Sequence, residues 1–136
     1  MSSVELKIFI GLSRARKKIG SKSSRLFIKY GLTEPQFGVL EALYHKGPLS
    51  IGDIQEKILS SSGTIPVIIR NLEKSGYLTK KKDTEDKRKY IVEITENGRR
   101  LMDEVFPQNK KIICDAINNR LSVEEQKMLV ELLKKL

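Results

Sequence analysis

Between positions 49 and 95 the apolar residues change from helical spacing to a pattern that alternates well enough for two short strands, and that change leaves few folds open. Ile51, Ile54 and Ile58 recur at helical spacing behind Ser50, with Asp53 placed to complete a capping box. The cluster Ser60-Ser61-Ser62-Gly63 then predicts a turn. A second helical stripe follows in Ile65, Ile68, Ile69 and Leu72, stopped by Gly76. Residues 77–82 and 89–95 alternate and predict two short strands. The tip between them, Asp83-Thr84-Glu85-Asp86-Lys87-Arg88, is polar and lacks glycine. Two short helices across a tight turn, followed by a basic hairpin, form the pattern of a winged helix-turn-helix.

The flanks are helical. Ile8, Leu12, Ala15, Ile19, Leu26 and Tyr30 mark a first helix ending at Gly31. Thr33, Glu34 and Pro35 open a second, with Phe37, Leu40 and Leu43 inward, which ends at Lys46-Gly47-Pro48. Thr95-Glu96-Asn97 caps a long fifth helix, in which Pro107 is expected to introduce a kink. Ser122-Val123-Glu124-Glu125 is a capping box for a last helix bearing Met128, Leu129, Leu132, Leu133 and Leu136. The predicted fold is mainly α, with six helices and a small antiparallel β-wing.

Charge narrows the function. The 136 residues hold 26 Lys plus Arg against 17 Asp plus Glu, a net charge of +9. Residues 1–30 carry eight basic side chains and one acidic, and residues 70–100 carry ten against six. Such clustering predicts a polyanionic partner. A basic amphipathic helix also suits a lipid surface, but the second cluster lies in a predicted hairpin, which favours nucleic acid. No apolar run is long enough to cross a bilayer, and the first ten residues do not read as a signal peptide. A single cysteine, Cys114, and a single histidine, His45, disfavour a disulfide scaffold, a zinc site and His-based catalysis. No nucleophile–base pair or phosphate-cradling glycine loop is present, so no catalytic residue, metal ligand or cofactor is assigned. The expected location is the cytoplasm.

An α-helix fits the DNA major groove, and a narrow cationic loop fits the minor groove beside it. With Ile65, Ile68, Ile69 and Leu72 inward, the fourth helix turns Ser62, Gly63, Pro66, Val67, Arg70 and Lys74 outward. Ser61, Ser62 and Thr64 can add hydroxyl donors for phosphate at the helix N-terminus. Arg70 is the candidate guanine reader, and Pro66 and Val67 offer apolar contact to a thymine methyl. Pro66 fits if the helix starts near Thr64; otherwise its first turn lacks one hydrogen bond.

The segment Gly31-Leu32-Thr33-Glu34-Pro35-Gln36-Phe37-Gly38-Val39-Leu40 resembles the second helix of MarR-family transcriptional regulators. Ser62-Gly63-Thr64-Ile65, with Asn71-Leu72-Glu73-Lys74-Ser75-Gly76-Tyr77-Leu78, is similar to their recognition helix and its exit. Asp83 through Arg88, then Ile94-Thr95-Glu96-Asn97-Gly98, resembles their wing and the start of the fifth helix; Phe106-Pro107 and Leu121 through Glu125 also fit. The resemblance spans nearly the whole chain. It implies an intertwined homodimer: residues 1–30 and 99–136 supply the dimerisation helices, and residues 31–98 form the DNA-binding winged helix. The C-terminal leucines agree, since one small lobe cannot cover them. The resemblance also implies a near-palindromic site on double-stranded DNA and repression. Asp86 and Arg88 match the family's wing pair, with Arg88 expected in the minor groove, Asp86 bracing the tip, and Lys81 and Lys87 on phosphates. Val67 and Glu85 stand where the family often has arginine, so base preference does not carry over.

Family members commonly release DNA when a small aromatic or anionic ligand lodges between dimer arm and DNA lobe. The resemblance places Leu12, Arg16, Ile19, Phe37, Leu40, Tyr44 and Phe106 as its walls, with Arg16 available to a carboxylate; the alternative is that these side chains only pack a hinge. The Ser62-Gly63 pair resembles a branch that includes regulators responding to quinones and other aromatics. Cys114, beside Ile112 and Ile113 and next to Asp115, is expected to be a buried structural thiol. A redox switch through Cys114 remains a second reading. His45 is expected to act at the C-terminus of the second helix. A sequence-indifferent architectural DNA binder and a protein–protein adaptor built on a winged helix are the competing functions.

Overall fold

The computed structural model describes residues 3–58 and 64–136. Its elements in chain order are α1 (Val4–Lys29), α2 (Glu34–Lys46), β1 (Leu49–Ser50), α3 (Ile51–Lys57), α4 (Ile65–Lys74), β2 (Leu78–Lys82), β3 (Tyr90–Ile94), α5 (Glu96–Asn118) and α6 (Val123–Leu133). Helices and wing therefore follow the predicted order.

Local chemistry fixes the helix ends. Thr33, Ser50 and Ser122 each accept a hydrogen bond from the backbone N–H three residues on, and Gln36, Asp53 and Glu125 reach back to the capping residue's own N–H. The exits of α1 and α4 share one device. Leu32 N–H donates to Phe27 O and Gly31 N–H to Ile28 O; likewise Tyr77 N–H donates to Leu72 O and Gly76 N–H to Glu73 O, all at 3.0 Å. Both are Schellman turns, and they hold Gly31 at φ 70° and Gly76 at φ 80°, where a side chain would be strained.

The chain divides into two compact units. One is Phe27–Phe106, which holds α2 to α4, the sheet and the first half of α5. Its core closes over Leu40, Leu43, Ile54, Ile69, Leu72 and Val92, with the Phe27 and Phe37 rings stacked at 4.3 Å. Each such aliphatic side chain contributes about 1.5–3 kcal/mol on burial. Met102 and Val105 of α5 are buried there too. The other unit comprises the residues up to Leu26 together with Pro107–Leu136. There the Ser23 hydroxyl donates to Asn109 Oδ1 at 2.6 Å, joining α1 to α5 through a buried pair. The expected boundaries at 30/31 and 98/99 thus differ from the observed divisions, which fall inside α1 and α5. Helix α5 continues through Pro107, at one of those divisions.

The sheet has the order β1-β3-β2, antiparallel throughout. Strand β1 is absent from the sequence expectation, because two residues are too few to show alternation; Leu49 pairs with Val92 and Ser50 with Ile91. In the wing Leu78 pairs with Ile94, Lys80 with Val92 and Lys82 with Tyr90. Leu78, Val92 and Ile94 are buried, while the lysines beyond Leu78 are exposed. Among the described residues, no helix is long and apolar enough to cross a membrane.

Candidate nucleic-acid interface

The fourth helix is built to show one face. Ile65, Ile69 and Leu72 are buried and Ile68 is half-buried, so Thr64, Pro66, Val67, Arg70 and Lys74 are exposed. Pro66, Val67, Arg70 and Lys74 fall on one stripe, about 12 Å long at 1.5 Å per residue. Thr64 is the N-cap and Pro66 lies in the first turn, where its missing N–H removes no helical bond. That places the helix start where the sequence needed it. Val67 is 48% exposed, an apolar side chain left in solvent beside Pro66 on a stripe that also carries Arg70 and Lys74. The predicted contacts Ser61, Ser62 and Gly63 lie outside the described residues.

The wing tip turns without glycine by using two aspartates. Asp83 Oδ1 accepts the Glu85 N–H and Asp86 Oδ1 accepts the Arg88 N–H, both at 3.1 Å. These are Asx-turns, in which a carboxylate takes the place of a backbone acceptor. The Arg88 guanidinium also grips Asp86, with Nε to Oδ1 at 3.1 Å and Nη2 to Oδ2 at 3.3 Å. The side-chain bond from Arg88, reinforced by the Arg88 N–H, holds the Asp86 carboxyl below its ordinary pKa. Yet the Arg88 side chain is 92% exposed. It is oriented by Asp86 while keeping most of its five N–H donors open. Lys81 and Lys87 are exposed. Lys80 places its ammonium 4.9 Å from the Tyr90 ring centroid, a cation–π contact that steadies the wing's inner lysine.

The residues expected to line a ligand site fall into both units. Leu12, Arg16 and Ile19 belong to α1 in the unit that also holds Pro107–Leu136; Phe37, Leu40, Tyr44 and Phe106 belong to the Phe27–Phe106 unit. Phe37 and Leu40 are core side chains. Tyr44 and Phe106 are half-buried with ring centroids 6.2 Å apart. The Tyr44 hydroxyl donates to Asp103, which raises its pKa above the ordinary phenol value. His45 sets its ring edge-on to Phe106 at 4.6 Å, an aromatic role its position at a helix end did not reveal. Cys114 is exposed in the single chain, which corrects the expectation of a buried thiol. The error came from its isoleucine neighbours, which share its sequence position but not its helix face. Asp115 beside it is engaged by Lys111, whose Nζ donates to Oδ2 at 2.7 Å.

This geometry can be set against known proteins. The model of the MarR family matches residues 32–90. Over 135 residues the chain is 38% identical to the HTH-type transcriptional regulator MhqR of Bacillus subtilis (strain 168), spanning 99% of this chain and 92% of that protein. The chain belongs to the MarR family. Among solved structures it is similar to BpsR of Bordetella bronchiseptica, whose DNA binding is regulated by 6-hydroxynicotinic acid, with TM-score 0.85, 28% identity and coverage of 95% and 97% of the two chains. Sco3205, a MarR family transcriptional regulator from Streptomyces coelicolor solved with DNA, superposes with TM-score 0.89 over 98% of this chain and 86% of its own, and at 19% identity shows the shared fold. This MarR-family chain is therefore a DNA-binding transcriptional regulator and not an enzyme.

Sequence reasoning missed the Tyr44–Asp103 and Lys80–Tyr90 pairs, which join residues distant along the chain or diagonal across a strand pair. The Asx-turns could have been found: two aspartates three apart in a hairpin without glycine are the signal.

Proposed function

We propose that this chain is a homodimeric repressor that binds a near-palindromic operator in the cytoplasm and is released by a small aromatic or anionic ligand. The observation that carries it is the exposed stripe Pro66, Val67, Arg70 and Lys74 on α4, beside a wing whose Arg88 is already oriented by Asp86. Arg70 reads guanine, Val67 and Pro66 meet thymine methyls, and Thr64 with Lys74 flank them. Arg88 enters the minor groove, and Lys81 and Lys87 meet phosphates.

The dimer is argued from what one chain leaves uncovered. Val4, Ile8 and Phe9 on α1, and Met128, Leu132 and Leu136 on α6 and its exit, are all more than half exposed. Apolar surface of that extent on both helices marks a contact with a second copy. Release by an aromatic ligand is supported by the Tyr44–Phe106 pair and by the response of the similar BpsR to 6-hydroxynicotinic acid. The exposure of Cys114 favours a second switch, in which an oxidant joins two copies through this thiol.

The test compares a duplex from the promoter beside the protein's own gene with a random duplex, at physiological salt. Preference for the promoter duplex is expected, and equal affinity would mean a sequence-indifferent binder. Adding 6-hydroxynicotinic acid as an aromatic carboxylate probe, or peroxide to the unmodified and Cys114→Ser proteins, separates the two switches.

A further inference from the structure

The two ends of the DNA-reading machinery meet at one hydroxyl. Thr95 precedes α5, and its Oγ1 accepts the Gly98 N–H at 3.1 Å, capping that helix. The same Oγ1 donates to Gly76 O at 2.6 Å, a carbonyl of the Schellman turn that ends α4. The Thr95 N–H donates to Tyr77 O at 3.0 Å, so two successive carbonyls at the exit of α4 are held by one residue. Gly98 completes the joint. A Cβ there would fall well inside contact with Tyr77 O and 2.6 Å from Ile94 Cγ1. Only a bare backbone lets α5 approach this closely. Neither feature is explained by helix formation alone: any capping hydroxyl would serve α5, and its first turn does not otherwise need glycine.

We propose that Thr95 and Gly98 are positioning residues for DNA reading: they staple the exit of α4 to the start of α5, so that the recognition helix takes its angle in the groove from α5. The inference rests on the operator-binding reading above. A hydroxyl is required because it must donate and accept at once, which valine of the same shape cannot do and serine can. A small tilt of α4 misplaces Arg70 from a base edge by more than a hydrogen bond tolerates, whereas phosphate attraction survives it.

The experiment uses the full-length protein and a duplex enriched from a random pool by the unmodified chain, beside a random duplex of equal length. Thr95→Val is expected to raise Kd for the enriched duplex about tenfold. It should leave the random duplex within about twofold, because phosphate contact dominates there. Thr95→Ser should restore the enriched-duplex affinity, and Gly98→Ala should act as Thr95→Val does. Helical circular dichroism at the assay temperature accompanies each variant. Unchanged discrimination in Thr95→Val, equal loss on both duplexes, failure of serine to rescue, or a loss that follows loss of helical signal would overturn the proposal. If the unmodified chain enriches no duplex, the operator reading itself fails, and the staple with it.

Discussion

On the proposed reading, a single pair of side chains, Asp86 and Arg88, sets how the wing meets DNA. Arg88 is long and would lose rotamer freedom on entering a groove, and Asp86 has already removed much of that freedom. The lowered Asp86 pKa gives the sign of its pH dependence. Its folded value lies below the unfolded one, so the pair contributes fully above the ordinary carboxylate range and is lost as pH falls through the lowered value. In an NMR titration, Arg88→Ala should move the Asp86 carboxyl midpoint back up toward the ordinary range; an unmoved midpoint would mean that Arg88 does not hold it. Arg70 poses the reading question. Arg70→Ala should cost about 1–3 kcal/mol and relax preference at one base position. Uniform weakening across unrelated duplexes would make it a phosphate clamp. Arg70 and Arg88 were legible as residue types on predicted elements. The resemblance gave Asp86 as a brace of the wing tip, but its grip on the Arg88 guanidinium came only with the structure; Asp103, which Tyr44 meets 59 positions away, was not legible at all.

At the scale of elements, legibility followed period and caps. Helix α4 could be placed because its four apolar residues repeat helically and Gly76 ends it; Pro66 sharpened the placement, since proline is harmless only in a first turn. Strand β1 escaped because pairing, not pattern, defines it. The capping boxes were visible in the letters at Ser50 and Ser122, and their worth can be measured. Ser50→Ala removes the bond to the Asp53 N–H and should destabilise the DNA-binding unit by about 0.5–2 kcal/mol in chemical unfolding. No shift in the denaturant midpoint would show that β1 pairing, not the cap, holds the start of α3. The burial of Cys114 was misjudged at this same scale: a residue that follows two isoleucines on a helix can still face outward.

For the whole molecule, charge and uncovered apolar surface make separate demands. With a net charge of +9, affinity for any duplex should fall steeply as salt rises. Lys81→Ala should lower the slope of log affinity against log salt by about one without changing base preference. The exposed apolar residues of α1 and α6 are the surface that the proposed dimer covers. Leu132→Glu should shift sedimentation from dimer to single chain and abolish operator preference while leaving the DNA-binding unit folded. A variant that stays dimeric would place the contact elsewhere. The most direct test of the central claim is hydroxyl-radical footprinting on a duplex selected from a random pool. Two copies reading adjacent grooves predict two protected patches related by a dyad, with centres about 10 base pairs, one helical turn, or a multiple of it apart. A single patch, or protection without fixed register, would contradict it.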